Sequence, residues 1–323
     1  MNVSEPVKRV LYPILLGFPL CVWVFLWKWI GWDASIALQI VYWAYLAVLV
    51  VLEQIIPFEK AWLKNDGQLK NDLILSLSSV AVNSLVAVVF LWLFTWAIKT
   101  YGPQVSLNVW PVHWPFLIQV ILGIVLWDLG NNLAHRWAHK VPFLWRFHAV
   151  HHSAPRLSVI NTGRFHPIDI AKSVVIGAPL PLLLGVPAEI TLWYAAFNVF
   201  IGITTHANID VQCGIFNSFL STPNLHRWHH SPHPIEADTN FGEATVVWDR
   251  VFGTYRNPSR PPRRNVGLGA AVRVSAKLLD ELIQPLTPGG HCASDANLIR
   301  NLEPGDAGPP PHDVRTSAHV AVT

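Results

Sequence analysis

Residues 111–139 read PVHWPFLIQVILGIVLWDLGNNLAHRWAH, an apolar stretch that carries no charge before Asp128 and then leads into two histidines. A bilayer core about 30 Å thick requires roughly 17–25 helical residues, so the uncharged part is long enough to cross it. His135 and His139 follow closely, and we expect the same helix to lift them just out of the membrane. The stretch therefore predicts a membrane-spanning helix with two histidines at one end.

Other parts of the chain are equally apolar. Three uncharged runs long enough to span a bilayer precede this stretch, at residues 10–27, 34–52 and 73–98. Residues 173–205 are also apolar, but three prolines and a glycine interrupt them. Two helices of about sixteen residues reach only about 24 Å each, which leaves a membrane-dipping hairpin and two full spans both open. The predicted fold class is all-α and integral membrane, with four transmembrane helices plus this hairpin.

The composition excludes several classes of protein. Hydrophobic residues make up 52% of the 323 residues and charged residues 13%, which is about half the charged share of a typical soluble protein. A net charge of +3 without a basic stripe argues against a nucleic-acid partner. The three cysteines are scattered and never form CxxC, which excludes a disulfide framework, a thiolate zinc site and an iron–sulfur cluster.

The lysines and arginines predict an orientation in the membrane. They are frequent before the first run, between residues 57 and 71, in the segment 135–165 and after residue 205, whereas only Lys99 lies between the third and fourth runs. Cytoplasmic loops carry the excess of these residues. We therefore expect the N-terminus and both histidine-bearing segments on the cytoplasmic side.

The chain divides into three regions by composition. We expect residues 1–110 to form an N-terminal transmembrane region and 111–256 to form the catalytic domain. Residues 257–323 form a C-terminal segment, in which an amphipathic helix around 272–284 precedes a Pro/Gly-rich tail that we expect to be disordered.

The histidines are the chemical signal of the sequence. The three motifs are HRWAH at 135–139, HAVHH at 148–152 and HRWHH at 226–230, while His166 and His206 stand alone. Residues three and four apart lie on one helix face. With metal–nitrogen bonds of about 2.0–2.1 Å, a single helical turn can offer two or three imidazoles to one metal. The first and third histidines of each HxxHH motif share a stripe, and the second lies beside them.

Neither the number nor the kind of ligand fits a zinc hydrolase. HExxH is absent, and the three motifs contain no carboxylate to act as a general base. The imidazoles are too many for one ion and enough for two. Imidazole binds Fe, Cu, Zn and Ni alike, so the ligand type alone leaves the metal open.

The order of these motifs resembles that of the fatty acid hydroxylase / sterol desaturase superfamily of membrane di-iron oxygenases. The resemblance covers about residues 115–256, from DLGNNLAHRWAH through FHAVHHS, RFHP, THAN, NLHRWHHS and DTNFG to WDRVFGTY. It implies that the metal ligands are His135, His139, His148, His151, His152, His206, His226, His229 and His230. His166 matches the HP position of the family and is a further candidate ligand.

The resemblance implies a membrane-bound lipid C–H oxidoreductase of the hydroxylase, desaturase or monooxygenase type. It would use two Fe ions, with Zn as a substitute, and O₂ as cosubstrate. A hydrocarbon C–H has no acidic proton, so its oxidation needs a redox metal rather than a base. The sequence contains no flavin, nicotinamide or iron–sulfur motif, so we expect a separate electron-donor protein as partner beside the lipid substrate.

Three further interpretations remain open at this stage. A membrane metal-binding or metal-transport protein is the alternative from another class, although transporters place polar ligands near the membrane midplane. A membrane zinc hydrolase is weakened by the missing carboxylate. Asp128 lies two helical turns before His135 and either orients an imidazole from the second shell of the metal site or is a charge at the membrane boundary.

The orientation can be tested by cysteine labelling in sealed vesicles. We expect single cysteines at positions 64 and 230 to react from the same side, because lysine-rich and arginine-rich segments stay cytoplasmic. A cysteine at position 99 should react from the other side. Labelling of positions 64 and 230 from opposite sides would contradict the predicted arrangement.

Overall fold

The computed structural model describes residues 4–102, 106–260, 262, 264–268 and 277–287. Across these residues the regular structure is helical apart from two isolated β-bridges, Pro57–Ile209 and Leu220–Thr245. The tail predicted to be disordered lies almost entirely outside them. The helices are α1 Glu5–Val24, α2 Ala34–Ile55, α3 Leu69–Tyr101, α4 Phe116–Lys140, α5 Pro142–His152, α6 Pro167–Gly177, α7 Pro179–Leu184, α8 Ala188–Thr205, α9 Pro223–His229, α10 Pro234–Ala237, α11 Val247–Val251 and α12 Leu278–Ile283.

Five helical stretches in the described ranges are long and apolar enough to cross a membrane. Four of them contain the four predicted runs, and α1 reaches this length through a π-helical turn, Phe25–Trp29. The fifth is Pro167–Leu184, which combines α6 and α7 and forms the first arm of the predicted hairpin. Helix α8 is the returning arm, and at 1.5 Å per residue an arm of this length extends about 27 Å. The chain is therefore an all-α protein with multi-pass membrane character.

The outer surface of the helices is apolar. On α3, for example, Leu85 and Val88 are exposed by 64% and 65%. Exposed apolar patches of this extent are rare on soluble proteins. In a bilayer such side chains face lipid tails, which are as apolar as they are.

Helix α4 is the central element, and it packs against α5, α6 and α8. It continues without a break from the apolar run to Lys140, as the sequence predicts. A Cβ atom on Gly130 would lie 2.5 Å from the Cα atom of Gly177, so the backbones of α4 and α6 are in direct contact there. Small residues allow this close approach. It fixes the height of α6 against the turn of α4 that leads to His135.

The loops next to the histidines are tied to the end of α2. Buried Glu53 accepts hydrogen bonds from the backbone amides of Val159 at 2.9 Å and Asn208 at 2.8 Å. The Pro57–Ile209 bridge and the bond from Phe58 N to the carbonyl oxygen of Asn208 lie beside it. The loop after α2 and the segment after α8 are thus on the same side of the molecule.

The short helix α12 closes the same side through a buried ion cluster. The Arg164 guanidinium pairs with Asp72 of α3 at 2.6 Å and with Glu281 of α12. Next to this cluster, the ring of His166 donates through Nε2 to the carbonyl oxygen of Leu282 at 3.1 Å. Paired in this way, the buried charges fix α12 in one place.

Glu53 provides a test of these connections. Glu53→Ala should lower the unfolding temperature of the detergent-solubilised protein by a few degrees, because a buried donor left without an acceptor costs roughly 1–3 kcal/mol. Glu53→Gln keeps one oxygen acceptor and should lose less. The control is Glu189→Ala, which removes an exposed pair with Lys28 and should change little. Equal stability of the two alanine variants would contradict the assigned role of Glu53.

Candidate metal centre

Nine buried histidines converge in two adjacent groups at the end of α4. Within each group the nearest ring nitrogens all lie within 4.8 Å of one another. The five-histidine cluster consists of His135, His139, His148, His152 and His229. The four-histidine cluster consists of His151, His206, His226 and His230. The rings of His152 and His230 stack at 4.3 Å, so the two clusters adjoin.

Helix geometry explains how the motifs are shared between the clusters. Successive residues of an α-helix are about 100° apart, so positions i and i+4 point in nearly the same direction, whereas i+3 points to the other side of i. In the first HxxHH motif, His148 and His152 enter the five-histidine cluster and His151 the four-histidine cluster. In the second motif the division is reversed, because its i and i+4 histidines enter the four-histidine cluster and His229 the other. Each HxxHH motif therefore serves both clusters.

Several ring nitrogens in this region have no partner within the protein. His135, His148 and His229 each direct Nδ1 at an oxygen 2.9 Å away, which is the carbonyl of Phe241, the carboxylate of Asp169 and the carbonyl of Thr239 respectively. Such oxygens only accept, so each Nδ1 is the donor and each Nε2 carries a lone pair. These three Nε2 atoms are buried without a hydrogen-bond partner. Unpaired buried nitrogens are costly, and a metal ion would satisfy them.

The spacing of other nitrogens also fits metal binding. Nε2 of His139 and Nε2 of His152 are 3.2 Å apart, and the Nε2 atoms of His226 and His230 are 3.1 Å apart. Two nitrogens bound to one ion at about 2.0–2.1 Å are separated by about 2.9–3.4 Å. Each cluster thus contains a pair of ligands already spaced for a shared ion.

Burial keeps these imidazoles neutral. It lowers the pKa of His148, His151, His152, His226 and His230 well below the usual value. It likewise lowers the pKa of His229 to about 4 and that of His206 to about 3. At neutral pH the rings therefore hold the lone pairs that metal binding requires.

The partners of the outer nitrogens differ between the clusters. Two carboxylates support the five-histidine cluster, since Asp169 accepts from His148 and Asp238 lies 3.3 Å from Nδ1 of His139. In the four-histidine cluster the acceptors are neutral, for example the Asn161 amide oxygen 3.3 Å from His206 Nδ1. A carboxylate partner raises the basicity of an imidazole ligand. The five-histidine cluster is therefore the more electron-rich of the two.

His166 lies outside both clusters, although the sequence made it a candidate ligand. It is the N-cap of α6, where its Nδ1 accepts from the backbone amide of Ile168 at 3.1 Å. Its Nε2 is used by Leu282, so neither ring nitrogen is free. The structure gives this residue contacts that hold α6 and α12 together.

Asp128 contacts a loop rather than an imidazole. Its carboxylate is fully buried and accepts hydrogen bonds from the amides of Ala244 and Thr245 and from the Thr245 hydroxyl. It is thus connected to His135 only through the loop that also contains Phe241.

Other residues at the site were missed by the sequence reasoning. Asp169 and Asn161 carry no motif, and Asp238 was interpreted as structural. Phe165, whose ring stacks on His151 at 4.0 Å, also gives no signal. Asp169 lies 21 residues from His148, and no local spacing relates two residues so far apart. Only the adjacency of Asp169 to the HP pair was visible.

Comparison with known proteins places the chain in a family. The family model described as Fatty acid hydroxylase matches residues 120–254, a range that contains all nine clustered histidines. The chain is also 41% identical over 258 residues to the ornithine lipid hydroxylase OlsE of Rhizobium tropici, an alignment covering 78% of this chain and 76% of that protein. The chain belongs to the fatty acid hydroxylase family.

More distant relatives of this fatty acid hydroxylase family member have other printed activities. The alkylglycerol monooxygenase of Danio rerio is 29% identical over 219 residues, which are 65% of this chain and 46% of that protein. The Delta(7)-sterol 5(6)-desaturase of Candida glabrata is 26% identical over 217 residues, 67% of this chain and 56% of that protein. The chain thus spans about half the length of these two relatives. No solved structure matches it significantly.

The metal content of histidine variants tests the assignment of ligands. With one ion in each cluster we expect two transition-metal ions per chain. Alanine at His135, His151, His152, His229 or His230 should lower this content, because each change leaves a ligand position empty. The control His233→Ala removes a neighbouring histidine that lies in neither cluster and should leave the content unchanged.

His166→Ala separates a structural from a ligating histidine. It should keep the full metal content but lower the unfolding temperature, since losing an N-cap costs about 1 kcal/mol. A loss of metal in His233→Ala as large as that in His230→Ala would show that the ligand set is wrong.

Proposed function

We propose that the chain is a membrane-bound lipid oxidoreductase that oxidises a C–H bond with O₂, using one iron ion in each histidine cluster. The observation that carries this proposal is the pair of buried, neutral imidazole clusters at one end of a bundle of lipid-facing helices. The relatives support it, since their names describe a lipid hydroxylase, a monooxygenase and a sterol desaturase.

Iron fits the proposed chemistry better than zinc. When bound, an iron pair supplies the redox capacity to activate O₂ and to oxidise a C–H bond, which zinc lacks. Zinc binds similar ligands and can replace iron in purified protein. Hydroxylation, desaturation and ether cleavage all begin by removing a hydrogen from carbon, so the clusters serve each of them.

The chain's own residues hold the ligands and exclude water. Asp169 and Asp238 orient imidazoles of the five-histidine cluster. The Phe165 ring covers His151, and the Phe241 ring packs against His135 at 5.6 Å. A dry, preoriented site of this kind protects reactive species from side reactions with water. The lipid-facing helices let an acyl or sterol chain reach the site from the bilayer.

The proposal includes an orientation and an electron source. The N-terminus and both clusters lie on the cytoplasmic side, as the distribution of lysines and arginines favours. A separate electron-donor protein then delivers electrons from the cytoplasm or within the membrane. Purified enzyme with NAD(P)H alone should not turn over.

Two other functions fit the site less well. A metal transporter holds its ions near the membrane midplane, whereas the ligands of α4 lie in its last two turns. A zinc hydrolase needs a carboxylate free to act as general base. The carboxylates of Asp169 and Asp238 instead face imidazole nitrogens and lysines.

An isotope experiment tests the reaction. Iron-loaded protein is incubated with a host lipid extract, ¹⁸O₂ and a reducing system containing a reductase and a small electron carrier. Mass spectrometry should then find a lipid product that has gained ¹⁸O or lost two hydrogens. His229→Ala protein, prepared identically, should form none of this product because a ligand to the five-histidine cluster is missing.

The opposite outcome is equally clear. Iron-loaded protein that consumes no O₂ with any host lipid but moves metal ions across sealed vesicles would replace the oxidoreductase by the transporter.

A further inference from the structure

Residues 241–245 form a loop that two buried carboxylates hold from both ends. Asp249 accepts from the first two backbone amides of the loop at 2.8 Å each. Asp128 accepts from the last two at 2.9 and 3.2 Å. Glu243 is the central residue of this clamped loop (residues 241–245). Four charge-assisted hydrogen bonds therefore fix the place from which its side chain projects.

The clamped loop also contacts the five-histidine cluster directly. The Phe241 carbonyl, two residues before Glu243, accepts from Nδ1 of His135 at 2.9 Å. Between them, a Cβ atom on Gly242 would lie 1.8 Å from the carbonyl oxygen of Thr245, so only glycine fits this turn. The position of Glu243 is thus coupled to the position of a metal-binding ring.

Glu243 has no cation of its own. It is half-buried, and no Lys or Arg side chain in the described part of the chain lies within 4.0 Å of its carboxylate. Lys172 attracts it through space, but that lysine pairs with Asp169 at 2.7 Å, and both Asp128 and Asp169 repel Glu243. Burial, with Asp128 next in effect, raises the pKa of Glu243 to about 7. A desolvated carboxylate of this kind is stabilised most by a positive partner.

The surroundings of Glu243 are polar although they lie among the helices. The Asn198 side chain on α8 donates a hydrogen bond to the Glu243 carboxylate, while its own oxygen is buried without a partner. One turn before it, the Tyr194 hydroxyl accepts from Asn131, and the Trp127 ring stacks on Tyr194 at 5.4 Å. The buried Trp127 Nε1 also lacks a partner. Buried polar atoms without partners mark a place for a polar ligand.

We propose that Glu243, together with Asn198, binds a positively charged amino group in the polar part of the lipid substrate and so brings a nearby carbon to the five-histidine cluster. This inference rests on the proposed oxidation of a lipid and narrows the substrate class to lipids that carry a protonated amine. The ammonium donates to the Glu243 carboxylate and to the free oxygen of Asn198. Both acceptors lie on the side of the clamped loop that faces α4, α6 and α8.

The same arrangement rejects neutral lipids. A lipid without the cation leaves the Glu243 carboxylate unpaired in a partly dehydrated site. Sites built for a polar group discriminate strongly against analogues that lack it, because their own polar groups are then left without partners. Specificity for the amine therefore follows from the missing counter-ion.

A binding experiment with two matched lipids tests this site. The probes are an ornithine-headed lipid with a free side-chain amine and the same lipid with that amine acetylated. Metal-loaded full-length protein in nanodiscs should bind the free amine at least about tenfold more tightly, as expected for one charge-assisted interaction. Glu243→Gln should reduce this preference to about twofold or less without changing the metal content, because it removes the charge and keeps the shape.

Three further variants complete the design. Glu189→Gln changes an exposed carboxylate paired with Lys28 and should keep the full preference. Glu243→Asp keeps the charge and should retain part of the preference. Asn198→Ala should weaken binding of the free amine severalfold, and these last two variants provide the test if Glu243→Gln does not fold.

Each remaining outcome contradicts the proposal. An unchanged preference in Glu243→Gln, equal binding of both lipids by the wild-type protein, or loss of metal in Glu243→Gln would each overturn it. Its failure is distinguishable from failure of the proposed function, because binding is measured without turnover. A preserved amine preference with no oxidised product from any lipid would leave the binding site standing and remove the oxidation.

Discussion

Each histidine of the two clusters has to present one ring nitrogen to a shared centre while its other nitrogen stays paired, in a region that excludes water. A ring that met only one of these demands would leave a buried polar atom unsatisfied. The protein meets the second demand with oxygens from distant segments, such as the Phe241 carbonyl for His135 and the Asp169 carboxylate for His148. Much of the sequence between the motifs therefore serves to place acceptors for imidazoles.

A second layer of buried charges holds those acceptors. Arg164 presents its own carbonyl oxygen to His151, while its guanidinium is paired with Asp72 and Glu281. Arg227, fully buried between two ligands of the second HxxHH motif, donates to the carbonyl oxygens of Ala207 and Ile209 just after His206. These charges are satisfied by several bonds each, which a buried ion requires. They connect the membrane helices to the clusters through contacts that have little freedom to shift.

The sequence predicts those features that depend on local spacing. The four apolar runs and the division of each HxxHH motif into two directions both follow from helix geometry, which relates residues a few positions apart. His166 and Asp128 show the limit of such reasoning. Asp128 shares a helix face with His135, but the amides of Ala244 and Thr245, 116 and 117 residues away, bind its carboxylate instead. Partners so distant follow only from the packing of whole helices, and the same is true of Asp169 and Asp238.

The closure by α12 has a consequence for how the protein is made. Residues 278–283 are synthesised after all nine clustered histidines, yet they complete the pairing of Arg164 and His166. On the ribosome, the apolar helices and every ligand therefore emerge while Arg164 has only Asp72 as a carboxylate partner at this position among the described contacts. The nascent chain passes through a stage in which the ligands are assembled and this side is still open. That stage gives metal ions a route to the clusters before the last segment of the chain closes over them.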